Sequence, residues 1–399
     1  MDTIEKLAIL ADAAKYDVSC ASSGSKRAPD KKGLGALNGM GICHSFTPDG
    51  RCVSLLKILL TNFCIFDCLY CVNRNSSNVP RARFTVEEVV RLTLDLYKRN
   101  YIDGLFLSSG IIRSPDYTME QLVRAAKSLR TEHGYRGYIH LKTIPDADPV
   151  LIAEAGLYAD RLSINVELPT PAGLARLAPQ KEVGSIRKSM GAVRLRIDEA
   201  KAEKNAPKFA PAGQTTQMIV GADATDDRGI LDASALLYGS YGLKRIYYSA
   251  FSPIPDSAKG LPLAAPPLMR EHRLYEADWL VRFYGFSPKE IVTGPDGMLD
   301  LEIDPKLAWA LAHRAAFPVD LNRAPKELML RVPGLGKKTV EKLLRLRRHR
   351  SITLQDLGRL HVPLTKLRPF VLLPDHSPRG LEALNLRERL AKPRQLPLL

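Results

Sequence analysis

The stretch Cys64-Ile65-Phe66-Asp67-Cys68-Leu69-Tyr70-Cys71 places three thiols within eight residues, with the spacing C-x3-C-x2-C. It comes shortly after residues 53–60, an apolar run that predicts a buried strand. Structural zinc sites use four protein ligands, and iron–sulfur clusters use one thiolate for each iron. Three thiols therefore leave one position of a four-iron cluster open, where a substrate or cofactor can bind.

The other cysteines leave an alternative open for this trio. A zinc knuckle completed by Cys52, Cys43 or His44 would also use these thiols. Cys20, Cys43 and Cys52 match no ligand spacing, so they are either auxiliary metal ligands or ordinary buried thiols. A disulfide framework is not indicated, because the six cysteines are crowded into residues 20–71 of a 399-residue chain.

The composition is that of a soluble globular protein, with 45% hydrophobic and 25% charged residues. A chain of 399 residues is long enough for two or three domains. It has no apolar run of eighteen residues, and its first residues lack a basic region leading into an apolar one. We therefore expect no membrane span, no secretory signal and a cytoplasmic location, where thiols stay reduced.

The net charge of +15 is unevenly distributed along the chain. Residues 314–399 contain 19 Lys and Arg but only 7 Asp and Glu. Such an asymmetry is typical of proteins that bind a polyanion, most often a nucleic acid. A basic tail that only aids solubility is the alternative.

From residue 51 onward, predicted strands and helices alternate. Two of the helices are predicted to begin with capping boxes, at Thr85-Val86-Glu87-Glu88 and at Thr118-Met119-Glu120-Gln121. The six predicted strands are residues 53–60, 104–108, 137–142, 161–167, 215–220 and 244–250. Six β/α repeats predict a parallel sheet with helices outside it. In barrels of this kind the active site lies at the carboxyl ends of the strands, which is where the cysteine stretch falls.

The cysteine spacing at this position resembles the signature of the radical S-adenosylmethionine (SAM) superfamily. The resemblance implies a partial (β/α)6 barrel of the TIM type. It also implies that Cys64, Cys68 and Cys71 are the catalytic metal ligands of a [4Fe-4S] cluster, whose fourth iron binds SAM. The aromatic residue that the family places before its last cysteine is Tyr70 here, which we expect near the adenine.

Other strand ends supply candidate SAM contacts. The family usually has Gly-Gly-Glu at the end of the second strand, where this chain has Ser108-Ser109-Gly110 and lacks the carboxylate. Lys142 ends the third strand and could face a carboxylate or phosphate. Asn165 and Glu167 alternate with Ser163 along the predicted fourth strand, and Gly221 follows the fifth. For each of these residues, filling the barrel or stabilising a loop is the alternative role.

A second motif lies near residue 334. Gly334-Leu335-Gly336-Lys337-Lys338 forms a predicted tight turn between two helices, where backbone N–H groups and two lysines could hold a phosphate. It resembles the helix-hairpin-helix motif, which binds nucleic-acid backbone without reading sequence. Residues 362–366 look like a degenerate second copy, expected to pack on the first. A purely structural turn or a protein-docking module is the alternative.

The predicted domains follow from these motifs. They are an N-terminal extension (1–50), the radical SAM barrel (51–255), a Pro-rich connector with helices (256–317), an all-α helix-hairpin-helix domain (318–371) and a basic tail (372–399), expected from residue 375 to be loosely ordered. In the connector, helix 268–284 mixes basic and aromatic residues. That mixture suits nucleic acid, although aromatic residues at helical spacing more often belong to a core.

A radical SAM barrel joined to a helix-hairpin-helix domain resembles a family of radical SAM proteins described as acting in DNA modification or repair. The resemblance implies reductive cleavage of SAM, a 5′-deoxyadenosyl radical directed at DNA, an external one-electron reductant and a partner related to uracil-DNA glycosylases. The alternatives are an RNA-modifying radical SAM enzyme and a non-catalytic iron–sulfur DNA-binding protein.

Overall fold

The computed structural model describes residues 1–14, 41–46, 52–254 and 260–391. The chain divides into two compact units. The first unit comprises Met1–Ala224 and Leu236–Pro266, and the second comprises Thr225–Ala235 and Pro267–Leu399. The predicted role of Cys20 lies outside the described residues, as do the side chains of His44 and Cys52.

The first unit is built on a curled seven-stranded sheet whose order follows the chain. Its strands are β1 (Ile42–Phe46), β2 (Cys52–Leu59), β3 (Gly104–Ser108), β4 (Tyr138–Lys142), β5 (Arg161–Ser163), β6 (Gln214–Val220) and β7 (Arg245–Ala250). β1 pairs antiparallel with β2, and all other neighbours are parallel. This sheet confirms the predicted α/β half-barrel. β1 was not predicted, because only its pairing with β2 reveals a strand in a stretch rich in loop-forming residues.

Helices follow the strands of the first unit. They are α1 (Thr3–Ala14), α2 (Val86–Lys98), α3 (Pro115–Thr131), α4 (Pro149–Tyr158), α5 (Pro171–Leu177), α6 (Val183–Ala202) and α7 (Asp227–Tyr241), whose first residues belong to the second unit. The central strands are buried on both faces, since every residue of β3 and of β6 is buried. This is expected for parallel strands that have helices on one face and the interior of the half-barrel on the other.

Two predicted elements differ from the structure. The fourth strand ends at Ser163 rather than at Glu167, because Glu167 has a φ of 64°. The pairing with β6 also shifts, from Ser163 opposite Thr215 to Glu167 opposite Met218. The predicted helix start at Thr118 is wrong as well, since α3 begins at Pro115.

The second unit is mainly helical. Its further elements are α8 (Leu268–Tyr284), α9 (Pro288–Ile291), α10 (Pro305–Ala312), β8 (Val319–Asp320), α11 (Lys326–Arg331), α12 (Lys337–Leu346), α13 (Leu354–Arg359), α14 (Leu364–Leu367), β9 (Val371–Leu372) and α15 (Leu386–Leu390). β8 and β9 pair in parallel. Asp227 is fully buried, pairs with Arg270 at 2.7 Å and accepts the N–H of Leu299, which joins the start of α7 to this unit.

The segment after residue 375 is more ordered than expected up to residue 391. The side chain of Arg387 pairs with Asp300 at 2.6 Å. Arg314 donates hydrogen bonds to the carbonyl groups of Leu381 and Ala383. These contacts hold the segment against the rest of the second unit.

Candidate functional site

The cysteine loop follows β2 and is held on two sides. The N–H of Ile65 donates to the carbonyl of Ile111, beyond β3, at 2.8 Å. The N–H of Leu69 donates to the carbonyl of Leu177, at the end of α5, also at 2.8 Å. The three cysteines carry free thiols, with Cys68 buried and Cys64 and Cys71 half-buried. The loop therefore presents all three thiols at the carboxyl end of the sheet.

The protein environment favours protonated thiols at two of these positions. Burial raises the pKa of Cys68 above its ordinary value, and the nearby ammonium of Lys181 only partly opposes this. Burial and the neighbouring Cys68 raise the pKa of Cys71 to about 12. Since metals bind thiolates, cluster binding releases these protons and is favoured by higher pH.

The donor set fits a cluster better than a single ion. Within the described part of the chain, no three His, Cys, Asp or Glu side chains are arranged to hold one metal ion. A four-iron cluster binds each thiolate to a different iron, so its ligands need not converge on one point. The zinc alternative depends partly on Cys52 and His44, whose side chains lie outside the described residues.

Arg81 holds the chain on both sides of the cysteine loop. Its guanidinium donates to four backbone carbonyls, which belong to Asn62, Asn73, Arg74 and Ser77. The distances to the last three are 2.9, 2.6 and 2.9 Å. A planar guanidinium has five fixed N–H donors, so one side chain can fix several carbonyls at once. Nothing local in the sequence predicted this role.

A largely buried ion pair lies beside the thiols. Nζ of Lys181 is 2.5 Å from Oε1 of Glu167. Burial alone would lower the pKa of Lys181, but the charges of Glu167, Cys68 and Cys71 raise it above its ordinary value. The strand that was expected to carry Glu167 ends before it and the register shifts, so simple alternation does not place Glu167, and its role in SAM binding stays a prediction. Its carboxylate binds Lys181, which the sequence did not indicate because it follows fourteen residues later.

The end of β3 is shaped for a close backbone approach. The N–H of Gly110 donates to the carbonyl of Thr61 at 2.8 Å, and a Cβ at Gly110 would clash with the carbonyl oxygen of Phe63. The hydroxyl of Ser109 donates to the carbonyl of Gly110 at 2.6 Å. Gly110 therefore has a structural reason to be glycine, whatever ligand binds there.

Three predicted cofactor residues, Tyr70, Ser108 and Asn165, have a buried side-chain atom without a hydrogen-bond partner among the described residues. In Ser108 this atom is Oγ, and in Asn165 it is Oδ1. A buried polar atom left unpaired costs about 1–3 kcal/mol. Ser108 and Asn165 follow the carboxyl ends of parallel strands, so a polar ligand at that edge would satisfy them. This observation fits a bound cofactor with polar groups.

The remaining predicted contacts lie on the same edge of the sheet. Lys142 ends β4, half-buried and opposite Ser163. Tyr70 packs against an apolar cluster that includes Leu177 and Phe251, and burial followed by the charge of Glu167 raises its pKa well above its usual range. Gly221 has a φ of 80°, and a Cβ there would lie 2.8 Å from Cγ of Pro266. Its conformation and this contact explain the glycine without a ligand.

The second predicted site lies in the second unit. α11 and α12 are joined by a tight turn in which Gly334 has a φ of 85°. Lys337 and Lys338 are exposed at the start of α12, whereas Leu335 is buried and its carbonyl accepts a hydrogen bond from Nζ of Lys306 at 2.6 Å. The turn thus presents two lysines to solvent.

The degenerate copy packs on this turn, as predicted. Pro363 approaches Gly334 so closely that a Cβ there would lie 3.1 Å from Cγ of Pro363. The sequence predicted that backbone N–H groups at this turn hold a phosphate. The N–H of Lys337 instead donates to the hydroxyl of Tyr284 at 3.2 Å. Tyr284 lies 53 residues earlier, so only the fold brings the two together.

The basic and aromatic residues of α8 separate into two groups. Arg270 and Arg273 are buried and serve the unit's structure, since Arg270 pairs with Asp227 and Arg273 with Glu276. At the carboxyl end of the helix, Trp279 and Phe283 are exposed. None of the helices in the described ranges is long and apolar enough to cross a membrane.

Comparisons with known proteins find similarity over part of the chain. Residues 58–221 match the model of the radical SAM superfamily. The solved structures similar to this chain include a radical SAM methyltransferase from Sphaerobacter thermophilus, with 14% identity, a TM-score of 0.41 and coverage of 61% of this chain and 72% of that one. Another is the FeFe-hydrogenase maturase HydG from Carboxydothermus hydrogenoformans, with 15% identity, a TM-score of 0.42 and coverage of 56% and 50%.

A third similar structure is coproporphyrinogen III oxidase (HemN) from Escherichia coli, described as a radical SAM enzyme. It has 14% identity, a TM-score of 0.36 and coverage of 56% of this chain and 52% of that one. The chain spans about half the length of the HydG and HemN chains. No curated protein matches the sequence.

Proposed function

We propose that this protein is a radical SAM enzyme that modifies or repairs DNA, and the match of residues 58–221 to the model of the radical SAM superfamily supports this. Enzymes of this superfamily use a [4Fe-4S] cluster and SAM. The observation that carries the first half of the proposal is the loop with three free thiols at the carboxyl end of the sheet, next to the unsatisfied atoms of Ser108 and Asn165.

The chain's own residues have distinct roles in this proposal. Cys64, Cys68 and Cys71 hold three irons and leave the fourth for SAM. Ser108 and Asn165 orient polar groups of SAM, and the charge of Lys142 attracts a carboxylate or phosphate. A bound and reduced cluster would, together with SAM, supply radical chemistry that abstracts a hydrogen atom from the target. The apolar cluster around Leu69 and Tyr70 excludes water from one side of the site.

The choice of DNA rests on the second unit. The turn at Gly334 with exposed Lys337 and Lys338 supports phosphate binding, and the basic residues from 314 onward supply the surrounding charge. A base within a duplex cannot reach an enclosed radical site, so single-stranded, damaged or flipped nucleotides are the proposed targets. An external reductant and a partner related to uracil-DNA glycosylases belong to the same proposal.

The test is anaerobic reconstitution with iron and sulfide, reduction, and measurement of 5′-deoxyadenosine released from SAM, with and without DNA. We expect release by the wild type, stimulation by single-stranded DNA, and loss of both bound iron and product in Cys68→Ala. Cys43→Ser is the matched control and should retain both. Full activity of Cys68→Ala would contradict the cluster assignment. Stimulation by tRNA but not by DNA would contradict the proposed target.

A further inference from the structure

Two aromatic side chains at the carboxyl end of α8 are exposed to solvent. Trp279 and Phe283 are four residues apart, so they lie on one face of the helix. Their ring centroids are 4.7 Å apart with an interplanar angle of 58°. Trp279 is 52% exposed and Phe283 is 37% exposed. Exposed aromatic side chains lose the gain from burial, so an adjacent pair of them suggests a binding surface.

Cations border these rings. Cζ of Arg282 lies 4.7 Å from the ring centroid of Phe283 and 5.8 Å from that of Trp279. Arg282 is held in place by an ion pair of 2.7 Å with Asp278, which is buried. Nζ of Lys337 lies 5.9 Å from the ring centroid of Phe283. The aromatic pair and a lysine of the predicted phosphate-binding turn are therefore direct neighbours.

The next residue of α8 connects this surface to the turn. Tyr284 accepts the N–H of Lys337, and the Lys306 ammonium lies 4.8 Å from its ring centroid. The geometry thus places apolar ring faces beside the start of α12, where Lys337 and Lys338 are exposed. A strand of nucleic acid has this same pattern, because flat bases alternate with phosphates. A duplex offers phosphates but no free base faces.

We propose that Trp279 and Phe283 stack on unpaired bases of single-stranded DNA while Lys337 and Lys338 bind the adjacent phosphates. This inference rests on the proposed DNA target and adds to it a preference for single strands. The charge of the surface favours this occupant over a protein segment, since Arg282 and Lys337 border the rings and the exposed Lys338 follows Lys337 in the chain. The carboxylate on the same helix face, Glu276, pairs with Arg273 at 2.7 Å.

The experiment measures binding of the full-length protein to a fluorescein-labelled thymidine oligonucleotide and to a duplex of equal length, at one fixed salt concentration. Replacing a stacking aromatic residue weakens single-strand binding by about tenfold or more. We therefore expect such a loss for Trp279→Ala and for Phe283→Ala, with duplex binding unchanged. Lys337→Ala should weaken both. Tyr101→Ala, which removes a 53% exposed aromatic residue of the first unit, is the matched control.

The fluorescence of Trp279 also reports binding of the oligonucleotide directly. The chain has two tryptophans, and Trp309 is buried. Stacking should quench the emission of Trp279 when the oligonucleotide is added. Trp279→Phe keeps a ring for stacking, so it should bind the single strand nearly as tightly as the wild type while losing the quenching.

The outcomes separate this inference from the proposed function. Selective loss of single-strand binding together with quenching supports it. Unchanged single-strand affinity in both alanine variants, or equal losses for single strand and duplex, overturns the stacking surface and leaves the DNA target intact. Failure of the wild type to bind any DNA while it still cleaves SAM overturns both. Tighter binding of single-stranded RNA than of DNA overturns the choice of polymer.

Discussion

Nζ of Lys181 lies 2.5 Å from Oε1 of Glu167, and this ion pair lies next to the cysteine loop. Both side chains are largely buried, with 18% and 10% of their surfaces exposed. Removing one partner of such a pair leaves an uncompensated charge, which is more costly than removing both. Glu167 therefore fixes the ammonium of Lys181 near thiols that must become thiolates when a cluster binds.

The first prediction tests this pair. Glu167→Gln and Lys181→Met should each lower the free energy of unfolding by about 3 kcal/mol, at the low end for buried pairs because Lys181 is partly exposed. The double variant should recover most of this loss. Denaturant titration followed by circular dichroism measures the effect. Additive losses in the double variant would show that the two charges act independently.

The second prediction concerns Arg81. Arg81→Lys keeps the charge but cannot donate to four carbonyls in a fixed plane, so the loop should lose its shape. We expect a loss of about 2 kcal/mol in the free energy of unfolding and a severalfold drop in iron bound per chain. Arg83→Lys is the matched control, because Arg83 donates to the hydroxyl of Tyr117 near the surface. Normal iron binding by Arg81→Lys would argue against a role of Arg81 in shaping the cysteine loop.

The third prediction compares two glycines of the second unit. Gly334 has a φ of 85° and contacts Pro363, so Gly334→Ala should destabilise the unit by about 1–2 kcal/mol. Gly358 lies in α13 with open space around it, so Gly358→Ala should be neutral or stabilising by up to about 1 kcal/mol. Both tryptophans lie in the second unit, so their fluorescence reports its unfolding. Equal effects of the two substitutions would refute the role of φ.

The fourth prediction concerns the pH dependence of the second unit. Burial lowers the pKa of Lys306 to about 7, although the nearby Asp304 opposes this. The unfolded chain keeps the ordinary pKa of 10.5, so between pH 7 and 10.5 it binds more protons than the folded protein. Stability should therefore rise with pH across this window, by at most about 1.4 kcal/mol per pH unit.

The measurement for Lys306 is urea unfolding at pH 6, 7, 8 and 9, followed by tryptophan fluorescence. Below pH 7 both states hold the proton, so the full cost of the buried ammonium is present there. Lys306→Met should abolish the rise, while Lys289→Met removes an exposed lysine of the same unit and should keep it. An identical pH profile for the wild type and Lys306→Met would contradict the lowered pKa of Lys306.

Several elements could be predicted from the sequence because local interactions define them. The capping box of Thr85 and Glu88 starts α2 as expected. β3 and α8 have the predicted bounds. The start of α3 was misplaced because Ser114 caps the helix with Pro115 after it, a stronger start than Thr118. Thr118 instead bonds the carbonyls of Ile112 and Ser114.

The functional residues also fall into two groups, those that the sequence predicted and those that only the structure revealed. The sequence alone determined the spacing of Cys64, Cys68 and Cys71 and their place after a strand. It also determined the turn that carries Gly334 and Lys337. These features depend on residues close together in the chain, where covalent geometry and local hydrogen bonds set the distances.

Only the tertiary structure decided which residues support these motifs. It brought Lys181 to Glu167 across 14 residues, Arg81 to Asn62 across 19 and Tyr284 to Lys337 across 53. It also separated the buried arginines of α8 from the exposed Trp279 and Phe283. The physical reason is that such contacts depend on how whole elements pack, so short-range spacing in the sequence does not encode them.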